Sequence, residues 1–221
     1  MSVQTILQSA LLKFGQDQSN QRFSDDFYNA INDSQSDICT SRSWGFLRTS
    51  ATITATTSTR ASSLPSDFGK AYDVNGAFRI LTPSASVGGI VKLMSYENWL
   101  SNEYEDGTSE GAPEFAYILG GSIYFSPIPD TDYTASLIYY KIPANIADTS
   151  STITVPDVYQ ELLKKQIWRR LQDAGYSSVQ ELSISDADIS RLINNAARDD
   201  ARKYGATTFN LPGSSYKRSA I

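Results

Sequence analysis

The chain reads as an α+β protein. Helices at both ends form one bundle, an antiparallel sandwich- or barrel-like β domain is inserted between them, and an extended arm closes the C-terminus. Three observations predict this. Apolar residues recur at helical spacing near both ends, and the middle is rich in β-branched and aromatic residues broken by Gly and Pro. The last stretch carries few apolar anchors. The boundaries fall at 1–47 and 156–205 for the bundle, 48–155 for the β domain and 206–221 for the arm.

Val3, Ile6, Leu7, Ala10, Leu11 and Phe14 make the first helical stripe, and Gly15 stops it. Gln16 to Phe23 reads as a connector. Ser24 is placed to cap the second helix, with Asp25 and Asp26 at its positive end. Phe27, Ile31, Ser34 and Ile38 continue a narrow stripe, so this helix is expected to leave apolar residues for neighbouring subunits. Cys39 falls in the same helix as a small buried residue.

From Arg48 the pattern turns to strands. Thr49–Arg60 is rich in Thr, Ala and Ser around Ile53, Leu64-Pro65-Ser66-Asp67-Phe68 is a turn, and Lys70–Leu81 is a strand broken at Asn75-Gly76. Gly88–Met94 is another strand. Ser95–Tyr104 is a short capped helix with Tyr96, Trp99 and Leu100 on one side.

The richest local signal is Gly111 to Tyr140. Gly120-Gly121 allows the positive φ angles of a primed hairpin turn, which pairs Ile118 with Ile123 and Tyr117 with Tyr124. Pro127 and Pro129 end the second strand because they cannot donate to a ladder. Ser136–Ile142 is a further strand.

Helices resume after Val155, with Pro156 at the first helical position. Tyr159, Leu162, Leu163, Ile167, Leu171 and Ala174 form the stripe, and Gly175 ends it. Ser183 with Asp186, or Ser185 with Asp188, caps the last helix. There Ile189, Leu192, Ile193, Ala196 and Ala197 face inward, and Gly205 is the stop.

Composition narrows the function. The chain has no His, one Cys and two Met, with a net charge of −5. Without His the usual general base and zinc ligand are missing, and one Cys makes neither an internal disulfide nor a multi-cysteine metal site. The acidic balance supplies no global field that recruits nucleic acid. No run approaches the roughly 20 apolar residues of a membrane span. Glu103, Glu105, Asp106 and Glu110 do not match a calcium loop. No catalytic residue, metal ligand or cofactor is assigned, and a soluble protein made in a cytosol is expected.

Particular residues carry a resemblance. They are Leu64-Pro65-Ser66-Asp67-Phe68 before a strand, Leu93-Met94-Ser95 leading into Tyr96-Glu97, and Gly111-Ala112-Pro113 before Phe115-Ala116-Tyr117. The set continues with Ile123-Tyr124-Phe125-Ser126-Pro127-Ile128-Pro129-Asp130, Tyr139-Tyr140-Lys141-Ile142-Pro143, and Ile153-Thr154-Val155-Pro156 opening a helix. In this order they resemble the head-to-tail adaptors of tailed bacteriophages, the tail tubular A-type proteins among them.

The resemblance implies a structural virion protein of the neck, made in the host cytoplasm, whose copies form a homo-oligomeric ring, commonly twelvefold. That ring would join the portal protein to the tail or nozzle protein, and double-stranded DNA would pass through it without specific binding. It implies a portal-docking arm with Phe209, Leu211, Tyr216, Lys217, Arg218 and Ile221, and a tail-facing loop at Tyr104, Glu105, Asp106 and Gly107.

For Lys164, Lys165, Trp168, Arg169 and Arg170 three readings stand: a solvated face, a ring interface, or a DNA contact. Trp168 is either an interface anchor or part of the monomer core. The alternative function is a carbohydrate- or receptor-binding β module of a phage tail, with Tyr96, Trp99, Tyr104 and Tyr133 as its exposed aromatic residues.

Overall fold

The computed structural model describes residues 2–72, 77–82, 90–101, 109–179 and 184–204, with the backbone alone for 77–82 and 90. The chain divides into two units, residues 1–46 with 144–221 and residues 47–143. The expectations at Asn75-Gly76, Ser183 and Gly205, the loop Tyr104–Gly107 and the arm 206–221 lie outside the described residues.

In the helical unit, α1 spans Val3–Phe14 and α2 spans Gln21–Thr40. Ser2 caps α1 through a bond from the Thr5 amide, and Gly15 ends it at φ 59°. The cap of α2 is Asn20 rather than Ser24: Asn20 Oδ1 accepts from the Phe23 amide at 3.2 Å. Both residues have suitable chemistry. Starting at Asn20 brings Phe23 into the helix, where it is fully buried against Phe14 and Tyr176.

The narrow stripe of α2 is not left for neighbours. Phe27, Ile31, Ser34 and Ile38 are all at 0 % exposure in a single chain. The return segment 144–155 helps to cover this helix. Asn32 exchanges two hydrogen bonds with the Ile146 backbone, at 2.8 and 2.9 Å. Gln35 donates to the Ala144 carbonyl at 2.9 Å and accepts from the Thr154 amide at 2.7 Å.

Pro156 precedes a 3-10 turn, Asp157–Tyr159, and α4 proper is Gln160–Asp173, numbered to follow a short α3 in the other unit. Tyr159, Leu162, Leu163, Ile167 and Leu171 are buried as the spacing predicts. Ala174 is exposed instead, because the helix has already ended and Gly175 turns the chain at φ 95°. Helix α5 spans Asp186–Tyr204. Its cap is Ser185, which accepts from the Asp188 amide and donates to the Asp188 carboxylate at 2.8 Å. Ala196 and Ala197 are buried, whereas Ile189, Leu192 and Ile193 are only half-buried.

The β unit holds β1 (Arg48–Ala55), β2 (Ala61–Ser63), β3 (Phe68–Ala71), β4 (Ala77–Thr82), β5 (Ile90–Leu93), α3 (Tyr96–Ser101), β6 (Glu110–Gly111), β7 (Phe115–Leu119), β8 (Ser122–Ser126), β9 (Ile128–Pro129) and β10 (Tyr133–Lys141). The main sheet runs β1-β10-β4-β5-β7-β8-β2, with β3 also on β10. The margin strands β1 and β2 are themselves joined by a short turn, and Ser62 Oγ donates to the Thr54 carbonyl at 2.6 Å. The sheet therefore curls back on itself, as a barrel does.

The hairpin register pairs Ile118 with Ile123 and Tyr117 with Tyr124, with Gly120 at φ 57° and Gly121 at φ 80°. One face sends Ala116, Ile123 and Phe125 into a core with Ile53, Val91, Ala135 and Leu137. The other face stacks Tyr117 on Tyr124 at 4.9 Å and packs Tyr117 on Trp99 of α3 at 4.7 Å.

The sheet is not wholly antiparallel. β5 and β7 are parallel, since α3 lies between them in the chain and such a pair needs a crossover. Pro127 does end β8, but Ile128-Pro129 continues as β9, parallel to β6. There the Ile128 amide donates to the Ser109 carbonyl and the Pro129 carbonyl accepts from the Ser58 amide.

Candidate functional site

The basic cluster of α4 is divided by the helix itself. At 100° per residue, Lys164 and Lys165 start two adjoining rows four residues long, and Arg170 stands roughly 200° from Trp168. Lys165 pairs with Glu161 one turn earlier at 3.4 Å. Arg169 pairs with Asp186 at the start of α5. Arg170 pairs with Asp33 at 3.4 Å and with Asp37, both on α2. Three of the four cations thus tie α4 to itself or to the helices beside it. The pairs are half-exposed, so each contributes little stability and fixes mainly geometry.

Lys164 and Trp168 go elsewhere. With Ser9, Leu12 and Lys13 of α1 and with Val179 they line a cleft of about 400 Å³. Lys13 Nζ sits 5.7 Å from the Trp168 ring centre. Trp168 Nε1 is buried and has no hydrogen-bond partner among the described residues. The Val179 amide donates to the Lys13 carbonyl at 2.9 Å, which holds the segment after α4 against the end of α1. The rim is apolar and exposed, Leu12 at 82 % and Val179 at 71 %.

On another side of α4 lies a smaller cleft of about 220 Å³, lined by Asp26, Asn29, Ala30, Asp33, Arg170, Asp173 and Ala174. Tyr176 Oη donates to Asp26 Oδ2 at 2.8 Å beneath it, and burial followed by that bond raises the Tyr176 phenol above its usual range. One side of α4 is thus framed by lysines and the other by aspartates.

Of the aromatic residues offered for a carbohydrate-binding face, Trp99 and Tyr133 are each 5 % exposed and Tyr96 37 %. Trp99 is packed on Tyr117, and the Tyr133 hydroxyl donates to Asp130 at 2.7 Å, so they belong to the framework of the β unit. The docking-arm residues Phe209, Leu211, Tyr216, Lys217, Arg218 and Ile221 and the loop residues Tyr104, Glu105, Asp106 and Gly107 lie outside the described residues.

Sequence reading missed Leu12, Lys13 and Val179. A signal for them existed: Leu12 is apolar yet off the buried stripe of α1, and Val179 is a lone apolar residue in Ser177-Ser178-Val179-Gln180-Glu181.

The cleft between α1 and α4, charged and with an exposed apolar rim, is the kind of surface on which another protein can dock. Residues 1–211 match the family model of the SU10 adaptor protein, and the chain belongs to that family of bacteriophage structural adaptors. Membership implies a component of the virion neck that meets portal and tail proteins. None of the curated proteins matches the chain.

Proposed function

We propose that this chain is a head-to-tail adaptor of the tail tubular A kind, whose copies form a ring between portal and tail and continue the DNA channel. The observation that carries the reading is the family match across residues 1–211, which takes in both helical segments and the β unit together. The bundle, 1–47 with 156–205, would build the ring, with the α4 side chains Lys164 and Trp168 at its subunit contacts. The arm 206–221 would dock on the portal through Phe209, Leu211 and Tyr216, with Lys217 and Arg218 meeting acidic groups and Ile221 at its end. The loop Tyr104–Gly107 would face the tail. A net charge of −5 suits a conduit through which a polyanion passes without sticking.

The test is native mass spectrometry of the purified chain with its portal. A symmetric ring of copies on the portal is expected, and removal of residues 206–221 should abolish docking while leaving the fold intact. A chain that never associates with the portal would sink the reading.

A further inference from the structure

Among the described residues of the helical unit, the exposed large apolar side chains are Leu12, Val158 and Val179. Leu12 and Val179 rim the cleft that Lys13 and Lys164 flank. Val158 stands apart, 75 % exposed in the 3-10 turn before α4, with Asp157 beside it and Glu161 three residues on, on the same side of the chain. Asp157 is exposed, as is Glu161, which is held only by its surface pair with Lys165. Lys164 has no carboxylate partner among the described residues. One apolar spot thus lies between two cations, and the other lies between two anions.

We infer that the cleft between α1 and α4 receives the start of α4 from a second copy of this chain. Val158 of one copy enters between Leu12 and Val179 of the next, and Asp157 and Glu161 meet Lys13 and Lys164. The inference rests on the ring reading above and specifies its contact. The two surfaces are different patches of one unit, so the contact is head-to-tail, and each copy keeps an unused half at either side. Repetition of such a contact closes a ring when the rotation allows it.

The rim charges set register and reject wrong pairings, while Val158, Leu12 and Val179 take apolar surface out of water on contact. The chain's own C-terminal stretch is a poor occupant of this cleft, because residues 205–221 carry Lys217 and Arg218 and no acidic residue.

The experiment uses full-length chain with its single, buried cysteine replaced (Cys39→Ala). Leu12→Cys and Val158→Cys are introduced separately, and each variant is treated with a short bis-maleimide, alone and mixed, with the portal present. Covalent dimers in the mixture and in neither variant alone are the expected result. Dimers of the Leu12→Cys variant alone would mean a twofold contact and overturn the proposal.

Charge reversal gives an independent arm. Lys13→Glu with Lys164→Glu should weaken assembly at least tenfold, as should Asp157→Lys with Glu161→Lys. The four changes together should restore it, which a merely misfolded variant would not do. A ring that forms normally in all these variants without cross-linking refutes the pairing but leaves the ring standing. A chain that stays monomeric on the portal refutes both.

Discussion

The backbone N–H of Gly45 donates a 2.7 Å hydrogen bond to Oδ2 of Asp200, tying the exit of α2 to the last helix. Asp200 is only 7 % exposed, and Tyr204 lies so close to Gly45 that a Cβ there would overlap the Tyr204 Cβ itself. Trp44, Phe46 and Tyr159 pack around the same junction, and Trp44 Nε1 donates to the Ile38 carbonyl.

Gly45→Ala is therefore expected to destabilise the chain by about 2 kcal/mol, because no side-chain rotation or truncation of Tyr204 to Ala removes the overlap. Asp200→Ala should cost about 1 kcal/mol by leaving the part-buried Gly45 amide without its partner. Urea denaturation of both variants checks this. Wild-type midpoints for both would show that the junction is not tightly packed.

Gln35 is 1 % exposed and holds both Ala144 and Thr154. Gln35→Ala should lower stability by roughly 2 kcal/mol, since two backbone groups lose their partner. Hydrogen exchange should quicken at the Thr154 amide while the Ile146 amide, bonded to Asn32, stays protected. Equal loss of protection at both would mean the segment opens as a unit.

Two phenols are expected to weaken the fold at alkaline pH. Burial, then the charges of Asp200 and Asp199, pushes Tyr159 from 10 up to about 12. Burial, then the 2.7 Å bond to Asp67, does the same for Tyr139. A folded pKa above the unfolded one means that the stability these groups contribute is whole below pH 10 and is lost as pH rises through 12. Denaturation midpoints should fall across that window. Tyr159→Phe should flatten the fall, and an unchanged slope would exclude Tyr159 as its source.

At the hairpin, Gly120 and Gly121 have open space where a Cβ would stand, so the cost of substitution is conformational alone. Gly121→Ala at φ 80° is expected to cost about 1 kcal/mol. Gly120→Asn should cost less, because Asn tolerates the left-handed region. Thermal melts of the two variants should rank them in that order, and the reverse would show that the turn is held by something other than φ.

What the sequence by itself determined is what local chemistry sets. The buried stripes of α1 and α4, the left-handed stops at Gly15 and Gly175 and the register of the Gly120-Gly121 hairpin depend on residues within a few positions of one another. The membership of an adaptor family was legible too, in the order of turns and strand ends from Leu64 to Pro156.

Only the tertiary structure decided between chemically equal options. Asn20 and Ser24 are both good caps, and burial of Phe23 chose Asn20. The parallel pairing of β5 with β7 depends on where α3 lets the chain return. The polar, thin stripe of α2 is closed within one chain because Asn32 and Gln35 bind residues more than 100 positions away. The basic cluster of α4 reads as one feature in sequence. Helix geometry and the carboxylates of α2, α5 and α4 itself claim Lys165, Arg169 and Arg170, and they leave Lys164 and Trp168 facing α1. A linear pattern shows which charges a helix carries, but their partners are fixed by the elements that pack beside it.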